Sequence, residues 1–140
     1  MSESIRLHFD VAGDDFTRAG EASGKVKKTM KQLGISADAV RKVAIAMYEG
    51  EINMVIHAGG GEADVDITPE AVIMTLTDHG PGIADIEQAM QEGFSTAPES
   101  VRNLGFGAGM GLPNMRKYTD EMSVESEVGK GTTVHMKVNL

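Results

Sequence analysis

The chain has 140 residues, a formal net charge of −8, 41% hydrophobic and 4% aromatic residues, and no cysteine. That length holds one core with its own cleft and no second folding unit within these residues, so any partner domain is expected on another chain. The missing thiols exclude a disulfide framework and a zinc-finger spacing, and the acidic balance, read as lacking a basic stripe or arm, argues against a nucleic-acid partner.

Met1-Ser2-Glu3 opens without the basic and apolar regions of a signal peptide, and the apolar runs fall short of a membrane span. A soluble, cytoplasmic domain with no membrane partner is expected. Ile5-Arg6-Leu7-His8-Phe9 alternates with period two as a first strand. Asp14-Asp15 is the expected N-cap of a helical pattern that runs to Leu33, where Gly34 stops it. Ser36-Ala37-Asp38 caps a longer helix with Val40, Val43, Ala44, Met47, Met54 and Val55 on one face, ending near His57 and the run Gly59-Gly60-Gly61. On its other face Glu49 and Asn53, at i and i+4, interrupt a surface of Ile45, Ala46, Ile52 and Ile56, where two polar groups need partners. Glu51 lies on the side of Val40 and Met47 and lacks that offset to Asn53.

Ala63–Ile67 and Ala71–Thr77 read as strands joined by a turn at Pro69, which puts Asp78 at a strand end. Asp85 to Met90 reads as a short helix. Residues 93–109, rich in glycine and small side chains, read as a lid, and Gly111 to Tyr118 as a helix. Glu121–Ser126 and Thr132–Val138 alternate around the Gly129-Lys130-Gly131 turn as an antiparallel hairpin. Strands and helices mixed in this order predict a two-layer α/β sandwich over residues 1–140 as one domain.

Three features converge on a nucleotide pocket: Asp78-His79-Gly80-Pro81-Gly82-Ile83, the repeat Gly105-Phe106-Gly107-Ala108-Gly109-Met110-Gly111-Leu112, and the pair Glu49 and Asn53. A carboxylate accepts from an exocyclic amine, alternate glycines bare backbone N–H groups to a polyphosphate, and an amide oxygen one turn past a carboxylate suits Mg²⁺. Taken alone, Asp78 is equally a strand-end Asx turn, the repeat a flexible linker, and His57 a structural histidine.

The order of these motifs resembles the GHKL ATPase superfamily of gyrase, the heat-shock chaperone, histidine kinases and mismatch-repair proteins. Asp78 to Ile86 with Glu92-Gly93-Phe94-Ser95-Thr96 is most similar to the stressosome switch kinases, and Asp120-Glu121 with Glu125 to Val134 to the single-domain anti-sigma kinases. The resemblance covers nearly the whole chain. It implies a Bergerat-type fold, a mostly antiparallel mixed sheet covered on one face by helices, and ATP with Mg²⁺ as cofactors.

It also implies roles. Asp78 would accept from the adenine amine, Gly80, Gly82 and Ile83 would let backbone and base approach, and Thr132, or Thr133 beside it, would support adenine through its hydroxyl. Asn53 would ligate Mg²⁺, and Glu49 would act as general base toward a serine hydroxyl or orient a water. His57 extends that stripe toward the phosphates. Gly105, Gly107, Gly109, Met110, Gly111 and Leu112 would form the phosphate loop, ordered by nucleotide. Anti-sigma kinases carry an Arg where Gly107 stands here, and Arg102 lies farther upstream in the lid. The expected function is a protein serine/threonine kinase acting on a small STAS-type anti-sigma-antagonist, either as a monomer or as a homodimer. The alternatives are a non-catalytic ATP-gated binding module that sequesters a regulatory partner, and a slow ATPase regulating a metabolic complex.

Overall fold

The computed structural model of the chain describes residues 4–13, 20–83, 90 and 111–140. Five strands and three helices follow one another as β1 (Ile5–Ala12), α1 (Glu21–Gln32), α2 (Ala37–His57), β2 (Gly60–Ile67), β3 (Ala71–Thr77), α3 (Gly111–Lys117), β4 (Glu121–Glu127) and β5 (Gly131–Asn139). The strands form one sheet in the order β1-β2-β3-β5-β4, and the four pairings among these strands are all antiparallel.

Period-two alternation sorts each strand into a buried and an open side. Val72, Met74 and Leu76 of β3, Thr132, Val134, Met136 and Val138 of β5, and Ala63, Val65 and Ile67 of β2 are buried. They meet Val26 and Met30 of α1, Val43, Met47 and Met54 of α2, and Met115 of α3 in one core. The helices therefore cover a single face of the sheet, as the expected two-layer sandwich requires. The other face carries aligned polar rows. Arg6, Asp66, Ile73, Lys137 and Glu121 lie side by side in register, and so do His8, Asp64, Thr75, His135 and Ser123. Ion pairs Arg6–Asp66 at 3.3 Å and Lys137–Glu121 at 3.4 Å flank the exposed Ile73.

Local signals explain most element ends. Ser36 accepts the Ala39 N–H at 3.3 Å as the N-cap of α2. Gly34, at φ 75°, closes α1 in a Schellman pair: its N–H donates to Lys31 O at 3.1 Å and that of Ile35 to Met30 O at 3.2 Å. Thr68 shapes the turn at Pro69, donating its N–H and its hydroxyl to Ala71 O at 2.9 Å each.

The described helix α1 begins at Glu21 with Gly20 as N-cap, and the expected cap Asp14-Asp15 lies outside the described residues. Three expectations are corrected. The Gly59-Gly60-Gly61 run does more than end α2: Gly60 and Gly61 already pair with Ala12 and Val11, lengthening β1 and β2. A basic surface does exist, because α1 exposes Lys25, Lys27, Lys28 and Lys31. The sheet, expected to be mixed but mostly antiparallel, has only antiparallel pairings among the described residues. The short helix over 85–90 and the lid over 93–109 lie outside the described residues, Met90 excepted.

Candidate functional site

Three elements meet at Gly50. This helical glycine, which costs α2 about 1 kcal/mol relative to alanine, sits against the end of the Leu76 side chain of β3, which a Cβ would push aside, and beside Met115 of α3. It brings α2 down onto the sheet, next to Glu49 and close to the strand that ends in Asp78.

Glu49 is half-buried, and Asn114 of α3 donates its amide N–H to Glu49 Oε1 at 3.4 Å. Burial pushes the Glu49 carboxyl above the ordinary carboxylate value, and the Asn114 hydrogen bond offsets part of that rise. Asn53, one turn on, is also half-buried, and its carboxamide has no hydrogen-bonding partner among the described residues. An unengaged amide oxygen beside a carboxylate fits a hard divalent cation. His57 closes α2, and its side chain lies outside the described set.

Asp78 continues the buried alternation of β3. Its Oδ1 accepts the Gly80 N–H at 3.0 Å and the Thr132 N–H at 3.2 Å, while its own N–H donates to Thr132 O at 2.9 Å. The bond to Gly80 is an Asx turn, so the structural reading of this residue holds. It leaves Oδ2 without a protein donor among the described residues, the arrangement an exocyclic amine needs. Gly80 packs against Ala58 just past α2, joining the Asp78 loop to the helix that carries Asn53. Gly82, at φ 79°, runs against the Glu127 carbonyl, which excludes any side chain there. Ile83 is partly buried against the core.

Thr132 is 8% exposed and shares the helix-covered face with Asp78, whereas Thr133 points to the open face opposite Thr77. A residue not singled out from the sequence holds it there. Ser126 Oγ accepts the Ile83 N–H at 2.7 Å, donates to Gly131 O at 3.1 Å and lies 2.8 Å from Thr132 Oγ1. Either hydroxyl can donate across this contact; when Ser126 gives its proton to Gly131 O and Thr132 donates to Ser126, Thr132 Oγ1 keeps a lone pair for a ligand or water. Asn114 and Ser126 escaped notice because each pairs with a group far off in sequence; the sole signal was a polar side chain on an otherwise inward-facing register. Gly111 opens α3, and Leu112 is buried in the core, so only its backbone can face a ligand. Arg102, Gly105, Gly107, Gly109 and Met110 lie outside the described residues.

Comparison with known proteins gives the family. The model of the histidine kinase-like ATPase domain matches residues 14–138. The chain is 36% identical to an anti-sigma F factor of Geobacillus stearothermophilus across 98% of this chain and 92% of that protein. It is 35% identical to an anti-sigma F factor of Geobacillus kaustophilus across 100% of this chain and 94% of that protein. An anti-sigma F factor of Pasteuria penetrans is 36% identical over 75% of this chain and 71% of its own. No helix among the described residues is long and apolar enough to cross a membrane. An ATPase domain binds ATP. By the extent of the match and the identity across its length, the chain belongs to the histidine kinase-like ATPase domain family.

Proposed function

We propose that this chain is a Mg-ATP-dependent protein serine/threonine kinase of a partner-switching pathway, with a small STAS-type anti-sigma-antagonist as its substrate. The observation that carries this reading is the placement of Glu49: half-buried, one turn before Asn53, with a carboxyl whose pKa burial has raised. A base shifted toward the working pH accepts a proton from an attacking hydroxyl more readily than an ordinary surface carboxylate. In the transfer, the serine oxygen bonds to the γ-phosphorus, the bridging bond to ADP breaks, and Glu49 receives the hydroxyl proton. Asp78 and Thr132 hold the adenine edge, and Asn53 would hold the magnesium. When bound, that metal neutralises charge on the phosphates.

A second reading is favoured by Gly107, which stands where anti-sigma kinases carry an Arg toward the γ-phosphate. Loss of such a cation removes several powers of ten in rate. On that reading the chain is an ATP-gated binding module that captures a regulatory partner, with slow hydrolysis as its reset. The two separate when the protein is incubated with labelled ATP, Mg²⁺ and a small STAS-type anti-sigma-antagonist domain. A kinase leaves phosphate on a partner serine, and Glu49→Ala lowers that transfer by about 100-fold or more while ATP still binds. ATP-dependent co-elution with no transfer by the wild-type protein overturns the kinase in favour of the module.

A further inference from the structure

Glu51 is 2% exposed and makes no ion pair among the described residues. It stands two residues after Glu49 and two before Asn53, turned about 200° from each around the helix axis, on the side of α2 that meets α1. Its Oε1 accepts the Ser23 N–H at 2.6 Å, and its Oε2 accepts the Gly20 and Ala22 N–H groups at 3.1 and 3.2 Å. These donors belong to the first turn of α1, where the N-cap Gly20 has no side chain to offer. A carboxylate from a neighbouring helix therefore does the work of a local cap, at a favourable end of the helix dipole.

We propose that Glu51 is a positioning residue for the phosphoryl transfer: anchored on the first turn of α1, it sets the rotation of α2 that keeps Glu49 and Asn53 turned toward the cleft. This rests on the kinase reading above. A rotation of α2 by about 20° swings a side-chain end roughly 6 Å from the axis through about 2 Å, enough to break all three bonds to α1. The same rotation moves Glu49 away from Asn114 and Asn53 away from its place a turn later. Because the three side chains sit on one stretch of rigid helix, the bonds on one side hold the geometry on the other. A displacement of about 1 Å at a reacting group is enough to cost about 100-fold in rate.

Glu51→Gln tests this, since it keeps the shape of the side chain but leaves one acceptor oxygen for three donors and turns an NH₂ toward them. Three quantities are read in the wild type and the variant: ATP affinity by calorimetry, transfer rate at saturating ATP, and titration of the Glu49 carboxyl by ¹³C NMR. Glu49 faces Asn114 from α3, and among the described residues no charged side chain pairs with it. The expected result is a rate at saturating ATP lower by at least about tenfold, a smaller change in ATP affinity, and a Glu49 carboxyl that titrates closer to its ordinary value. An unchanged Glu49 titration and an unchanged rate per folded molecule overturn the proposal. Should Glu51→Gln fail to fold, Glu51→Asp, which keeps the charge and gives up one methylene of reach, is judged by the same measurements. If the wild type phosphorylates no partner, the kinase reading fails, while the Glu49 titration still decides what Glu51 does.

Discussion

The Asp78 carboxylate is only half used by the fold. Oδ1 accepts from the Gly80 and Thr132 backbones, and Oδ2 has no donor among the described residues, which leaves it open to the adenine amine on the function proposed above. Asp78→Asn keeps an oxygen for the two N–H groups but sets an NH₂ against the amine. Calorimetry with ATP should show affinity lower by about 10- to 100-fold, that is about 1.4–3 kcal/mol, with the thermal midpoint little changed; equal affinity would remove Asp78 from the site. The Asx turn of Asp78 could be read in the sequence because it is local, spanning two residues. Ser126 and Asn114 could not, since the hydroxyl reaches Ile83 across 43 positions and the amide reaches Glu49 across 65. Composition and spacing hold no information on which of many polar side chains a distant backbone will meet.

The two ends of α1 show what an element owes to its own residues. Its C-terminus is self-contained: Gly34 adopts φ 75° with open space where a Cβ would go, so Gly34→Ala meets no neighbour and suffers only backbone strain. Urea denaturation should report a loss of about 1 kcal/mol, and a null result would mean that the Schellman closure adds nothing. Its N-terminus is borrowed. Asp14-Asp15, the cap expected from acidic residues ahead of a helical pattern, lies outside the described residues, and the described first turn is satisfied by Glu51 of α2. The helix α2, by contrast, takes its cap from Ser36 and ends near the expected His57. Its closeness to the sheet depends on Gly50, which in sequence reads as nothing more than a poor helix former.

At the scale of the molecule, the one-sided covering of the sheet leaves a polar face in water. There His8 Nδ1 lies 2.7 Å from Asp64 Oδ1, its cross-strand neighbour, and Nε2 3.3 Å from Asp10 Oδ1. The hydrogen bond to Asp64, then that to Asp10, raises the His8 pKa above its ordinary value. A folded pKa above the unfolded one means that this stabilisation is complete below about pH 6.5 and is lost as pH rises through the folded value. Urea midpoints measured across that window should fall further for the wild type than for His8→Ala, and the difference should shrink in about 1 M salt, because the pair is exposed. Identical slopes would show that the contact carries no linkage.

The sequence by itself determined the order of the described elements, the buried face of each strand and the places of Asp78, Glu49 and Asn53 on their elements, because periodicity, caps and short-range turns are encoded within a few residues of where they act. Tertiary structure alone decided that Glu51 caps a helix not its own, that Ser126 orients Thr132, and that Asn114 lies against Glu49. Each of those depends on the angle and distance at which separate elements pack, quantities set by the whole core and by no segment of it.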